Sequence, residues 1–384
     1  MDQLESESHA RGGGIKLPAA VRFALIVSLL YLFLVGVKLL EGGIKALGSD
    51  FTDTLFEGVT NPLAGLFVGI LATVLVQSSS VTTATIVGLV AAGVLDVGSA
   101  VPMIMGANIG TTVTNTIVSM AHMRRTEEFR LALTAATMHD FFNLLAVAVL
   151  LPFEVATGFL EWSAEKITSV LVGSEGLGGS FDSPIKGAVK WLAGIIEDVI
   201  ESAFSAGTAA GTVGIIVGIG LIFLTLTFIT KNMRLLVASR IERSLNAALA
   251  RSGLVGITVG IIVTVAVQSS SITTSILIPL AASGVLTIPN AFPITLGANL
   301  GTTVTALLAA LGAGAANGLT IAIVHTLFNF VAIAVFYPWP PLRRVPIVLA
   351  GRLADLAVER RVWAVAYLLV AFIAIPLLGI VILR

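Results

Sequence analysis

The sequence predicts an all-α polytopic membrane protein made of two inverted-topology repeats, each with a re-entrant helical hairpin and a broken transmembrane helix. Three observations carry that expectation. AVILMFWYC residues make up 56% of the 384 residues and DEKR only 11%, against about 25% charged residues in soluble proteins. Mean hydropathy is +1.01. The chain also repeats itself. "GLFVGILATVLVQSSSVTTATIVGLVAAGVL" (65–95) returns 191 residues later as "GITVGIIVTVAVQSSSITTSILIPLAASGVL" (256–286), with 18 of 31 positions identical. Finally, charge is distributed unevenly. Positions 154–201 hold eight acids, three lysines and no arginine. Basic residues cluster elsewhere, at Arg11, Lys16 and Arg22, at Arg124, Arg125 and Arg130, at Lys231 to Arg251, and at Arg343 to Arg361. The positive-inside rule then places those clusters in the cytoplasm and 154–208 outside. Segments 22–40 and 131–151 run outward and their counterparts 211–229 and 318–336 run inward, so the halves are inverted.

Taken in order, residues 1–20 read as a disordered cytoplasmic tail, whose acids and long following span argue against a cleaved signal peptide. Repeat 1 spans 21–153 and opens on "VRFALIVSLLYLFLVGVKLL", long enough to cross a bilayer. An amphipathic piece follows (41–60). Two apolar arms then flank "QSSSVTT" (77–83), from about Asn61 and to near Asp96. Each arm is about 16 residues, short of the roughly 20 a full crossing needs, so a re-entrant hairpin with a polar tip fits better than two thin spans. The segment near 98–120 carries "GANIGTTVT" (106–114), and 289–312 carries "GANLGTTVT" (297–305). Gly106, Asn108 and Gly110, with Gly297, Asn299 and Gly301, are poor helix-interior residues and predict a break halfway across.

Residues 154–208 form the extracytoplasmic connection. Repeat 2 spans 209–340 and holds its own span (211–229), an arginine- and leucine-rich surface piece (232–252) and "QSSSITT" (268–274). A basic cytoplasmic segment and a last transmembrane helix occupy 341–384. A twofold internal repeat of this kind is a common plan of secondary transporters.

The polar words define a chemistry. Helix N-termini with free N–H groups suit an anion, and hydroxyls and unwound carbonyls suit a hard monovalent cation. Neither QSSS nor GANxGTT contains a carboxylate, which disfavours a divalent-metal cage. For a lone serine, hydrogen bonding within its own helix is the ordinary role; paired near-identical words with diverged flanks point to a shared site. "MHDFFNLLA" (138–146) echoes "VHTLFNFVA" (324–332), pairing His139 with His325 and Asn143 with Asn329. Asp140, whose counterpart is Thr326, is an unpaired intramembrane acid and hence a candidate for cation coupling.

With "PMIMGANIGTTVTNTIV" (102–118), "EFRLALTAATMHDFFN" (128–143), "FPITLGANLGTTVTALLAAL" (292–311) and the paired QSSS, the chain resembles the type II sodium-dependent phosphate cotransporter family over roughly 20–380. The resemblance implies sodium-coupled phosphate symport by an elevator movement, in homodimers with independent protomers. It implies sodium near Gln268, Ser269, Ser270, Thr302 and Thr305, and phosphate near Gln77, Ser78, Ser79, Ser80 and Thr111, with Gln268, Ser269 and Ser270 of the second tip. Asp140 matches the acid of electrogenic members, and Thr116 and Asn143 match residues associated with a further sodium. Sodium would be a co-substrate; no cofactor is implied. The family's Gln-x-x-Asp pattern is replaced here by His122, Met123, Arg124 and Arg125. The short, cysteine-free connection looks like a compact bacterial form, sited in the inner membrane with its N-terminus in the cytoplasm.

Other classes are weaker. A net charge of zero suggests no nucleic-acid partner, and the absence of cysteine excludes disulfides and thiolate chemistry. No GxSxG or zinc motif supports an enzyme. A symporter of another oxyanion or a dicarboxylate, or a membrane phosphate sensor, remains as an alternative.

Overall fold

In lipid a backbone must satisfy its own hydrogen bonds, and long apolar runs do so as helices. The computed structural model describes residues 18–47, 61–172, 186–204, 207–249 and 253–383, with 233–249 as backbone alone. The expected tail, most of the piece 41–60 and part of the acidic connection lie outside the described residues. All described elements are helical. The first half comprises α1 (Ala19–Leu47), α2 (Pro62–Val76), α3 (Ser79–Ala91), α4 (Val97–Gly110), α5 (Val113–Ser119) and α6 (Thr126–Thr157). Next come α7 (Phe159–Val172) and α8 (Lys186–Phe204). The second half comprises α9 (Thr208–Leu249), α10 (Gly253–Val267), α11 (Ser270–Ala282), α12 (Ile288–Ala313) and α13 (Ala316–Phe336). The chain then runs through α14 (Pro340–Glu359), α15 (Val362–Leu369), a π-helical turn (Val370–Ala374) and α16 (Ile375–Leu383). Six helices among the described residues are long and apolar enough to cross a membrane, and the protein is a polytopic membrane protein.

Packing follows the repeat. Helix α1 lies along its counterpart α9; α2 packs on α4 as α10 packs on α12. The halves also interlock, since α3 packs on α13 of the second half and α11 on α6 of the first.

Two expectations are corrected. The surface piece 232–252 is not a separate element, because α9 runs as one helix of 42 residues to Leu249. The breaks do not fall at the glycines. Gly297, Asn299 and Gly301 lie inside the unbroken α12, while Gly106 and Asn108 lie inside α4 and Gly110 ends it. The first half alone is interrupted, at Thr111 and Thr112, and both keep right-handed helical angles (φ −55° and −86°). Close packing explains the glycines. A Cβ on Gly106 would run into the Leu66 carbonyl, and one on Gly297 into the Ile257 carbonyl. A Cβ added to Gly110 or Gly301 would come within 2.7 Å of Thr73 Cβ or 2.9 Å of Thr264 Cβ. Internal hydrogen bonding in a membrane outweighs a helix penalty of about 1 kcal/mol per glycine.

The turn from α6 into α7 is fixed by one buried acid. Gly158 closes α6 at φ 62°, and the Glu154 carboxylate accepts the amides of Leu160 (2.6 Å) and Glu161 (3.0 Å). Burial, with Glu165, Glu154 and Asp96 nearby, pushes the Glu161 carboxyl above its ordinary value. Glu154→Ala strands both amides at about 1–3 kcal/mol for each buried group left unsatisfied. A clear fall in the thermal midpoint of the purified protein is expected; an unchanged midpoint would contradict the cap.

Candidate functional site

The two QSSS words adopt one conformation. Gln77 ends α2 at φ 55° and Gln268 ends α10 at φ 57°, the non-glycine residues with positive φ among those described. A left-handed glutamine is costly, and such backbone concentrates at functional sites. Each side-chain amide folds back on its own helix, Gln77 Nε2 to Val74 O (2.5 Å) and Gln268 Nε2 to Val265 O (2.7 Å). Each amide oxygen accepts from a threonine of the GANxGTT helix, Thr114 to Gln77 and Thr305 to Gln268, both at 3.1 Å. Ser78 and Ser269 then cap α3 and α11, accepting from the amides of Val81 and Ile272 at 3.3 Å.

These turns meet. Gln77, Ser78 and Ser80 from the first half and Gln268 and Ser269 from the second line one cavity of about 270 Å³. Phe223, Leu226, Thr227 and Thr230 of α9 form its other side, and among the described residues no lining side chain is charged. The N-termini of α3 and α11 both open onto it, so it presents positive helix ends and hydroxyls.

The remaining expected residues sit behind that wall. Ser79 and Ser270 are buried in the first turns of α3 and α11. The Thr111 and Thr302 hydroxyls donate to the carbonyls four residues back, Ala107 (2.9 Å) and Ala298 (3.1 Å). The Thr111 carbonyl, freed by the interruption, accepts from Ser271 of the other half at 3.5 Å. Asn115 also bridges the halves, donating to Thr274 (2.8 Å) and accepting from Ser275 (3.1 Å).

Deeper in the protein, Asp140 is fully buried on α6. Its Oδ2 accepts from Thr116 (3.4 Å) and from Tyr367 of α15 (3.1 Å), and Oδ1 has no partner. Asn143, one turn further, is aimed elsewhere. It donates to the Asn108 carbonyl (2.9 Å) and accepts from Asn299 (2.8 Å). Asn329 donates to the Asn108 side chain at 3.2 Å, with His325 at 3.4 Å. The asparagine of each GAN word is thus hydrogen-bonded to the HxxxN asparagine of the opposite half. Asn108 and Asn299 serve this exchange and break no helix.

Sequence reasoning missed Thr114, the α9 lining and Tyr367. Thr114 was findable, since it stands 191 residues before Thr305. The α9 residues and Tyr367 carry no motif, and only packing reveals them.

Apolar helices long enough to cross a membrane, with two copies of one polar motif brought to a shared open cavity, are the plan of a membrane transport protein. The profile of the Na+/Pi-cotransporter family matches residues 32–173 and 221–351. The chain belongs to that family. Sodium-dependent phosphate transport protein 2A of Rattus norvegicus is 34% identical over 425 residues, covering 93% of this chain and 67% of the relative. Sodium-dependent phosphate transport protein 2B of Homo sapiens is 33% identical over 448 residues, covering 93% of this chain and 64% of the relative. No solved structure matches the chain.

Proposed function

We propose that this protein carries inorganic phosphate into the cell by sodium-coupled symport, using alternating access between two oppositely oriented halves. The carrying observation is that two turns 191 residues apart in sequence line one cavity. Phosphate is held by Gln77, Ser78 and Ser80 with Gln268 and Ser269, the amides of Ser79 and Ser80 at the α3 N-terminus adding donors. Thr111 and Ser270 support the turns from behind. One sodium sits on the second side, near Gln268, Ser269, Ser270, Thr302 and Thr305. A further sodium sits at Thr116 and Asp140, with Asn143 holding the adjoining helices together. Sodium offsets the repulsion of a divalent anion in a low-dielectric site and so couples the two bindings.

The short arms support re-entrant hairpins. At 1.5 Å per residue, 15 and 13 residues reach only about 22 and 20 Å, against a hydrocarbon core of about 30 Å. The matched packing of α1 with α9, and of each half's hairpin on the other half, supports inverted repeats and an elevator movement of the loaded bundle. The charge distribution supports a cytoplasmic N-terminus in an inner membrane, and the short cysteine-free connection fits a compact bacterial form. The assembly proposed is a homodimer with independent protomers.

Substrate class is tested by uptake of radiolabelled phosphate into proteoliposomes with competitors. Arsenate, an isostere, is expected to compete and succinate to be silent. Competition by succinate but not arsenate moves the reading to a dicarboxylate. Saturable phosphate binding without uptake moves it to a sensor.

A further inference from the structure

We infer that Tyr367, on α15 of the last apolar span, is a sodium ligand of the Asp140 site. The inference rests on the cation role proposed for Asp140. The family match ends at residue 351, so α15 lies outside it. Tyr367 nevertheless reaches the most deeply buried acid among the described residues, its hydroxyl donating to Asp140 Oδ2 at 3.1 Å. Thr116 donates to the same oxygen at 3.4 Å, and Oδ1 has no partner. Two carboxylate oxygens, a threonine hydroxyl and a phenol hydroxyl therefore gather at one point from three separate elements, α6, α5 and α15. A hydroxyl oxygen keeps two lone pairs while it donates. The phenol can thus hold the carboxylate and still turn a lone pair to a cation beside it. Hard monovalent cations favour such mixed carboxylate and neutral oxygen sets.

The phenol is fixed in place. Its ring stacks on Phe141 (centroids 5.9 Å) and meets Phe372 edge to face (5.7 Å). Phe372 is fully buried within the π-helical turn Val370–Ala374 that directly follows α15. Single π turns inside helices are frequent at functional sites. Here the turn places the aromatic brace that aims the hydroxyl at Asp140. A tyrosine that only satisfied a buried acid would stabilise the fold at every sodium concentration alike; a ligand makes stabilisation depend on sodium.

The test is the thermal midpoint of the purified full-length protein, titrated with sodium chloride against choline chloride at constant ionic strength and without phosphate. Sodium is expected to raise the wild-type midpoint by linkage. Tyr367→Phe is expected to raise the sodium needed for half the effect by about tenfold, the low end for losing a metal-site partner. In an Asp140→Asn background Tyr367→Phe should add nothing further, since coupled residues are non-additive. Phe372→Leu, which keeps the hydroxyl and removes its brace, should move the sodium dependence in the same direction by less, and carries the test if Tyr367→Phe does not fold. An unshifted sodium dependence in the folded variants, even with a lower midpoint throughout, overturns the inference. The readout needs no transport. Sodium stabilisation without phosphate uptake would sink the symport reading and leave this one standing.

Discussion

Asp140→Asn is expected to leave phosphate uptake measurable and to abolish the sodium-dependent current. Asp140 is fully buried, with one carboxylate oxygen shared by Thr116 and Tyr367 and the other unpartnered. A buried charge left without a counterpart is expensive and needs a cation to neutralise it. Asparagine keeps the shape, accepts the same two hydroxyls and removes the charge. The sodium it summoned is no longer carried, and the cycle loses one translocated charge. Each such charge is worth about 2.3 kcal/mol per 100 mV of membrane potential. Uptake by the variant should therefore become insensitive to an imposed potential. Capacitive currents recorded from reconstituted membranes measure this directly, and an unchanged sodium-dependent current would contradict the assignment.

Gly297→Ala is expected to destabilise the folded protein by about 3 kcal/mol, the upper part of the usual range for overpacking. An added Cβ would collide with the Ile257 carbonyl and approach Gly260 Cα at 3.0 Å, so both clashes are with backbone. A shift of either helix would disturb a cross-helix hydrogen bond, because α10 runs directly into Gln268 and α12 carries Asn299. Gly106→Ala should behave alike, since its Cβ would meet the Leu66 carbonyl across α2 and α4. Gly351→Ala in α14 is the control. Nothing lies within 4 Å of its added Cβ, and alanine gains about 1 kcal/mol of helix propensity there. The measurement is the thermal midpoint and folded yield of each variant. Equal behaviour of Gly297→Ala and Gly351→Ala would contradict close backbone packing as the role of these glycines.

Much of this architecture is legible in the residues. Hydropathy marks the spans because lipid admits little else, and the QSSS words mark both turns because clustered polar groups in an apolar chain need a purpose. The glycines misled because a propensity argument treats each helix alone, whereas Gly106 and Gly297 answer to a neighbouring backbone. The two GANxGTT words are nearly identical, yet only the first is interrupted, and its Thr111 carbonyl lies 3.5 Å from the Ser271 hydroxyl of the other half. Asn143 could be aligned with Asn329, but its partnership with Asn299 across the halves follows only from the packing of α6 against α12. Tyr367 lies in an ordinary apolar span, and nothing in its local sequence announces a neighbour 227 residues away.

The central claim is that sodium drives phosphate through the cavity between the two QSSS turns. Its most direct measurement is radiolabelled phosphate accumulation in proteoliposomes of the wild-type protein under an inward sodium gradient, compared with potassium or choline gradients of equal size. Accumulation above equilibrium with sodium, and only passive leak with potassium or choline, is the predicted result. Uptake that proceeds equally with all three cations would contradict it.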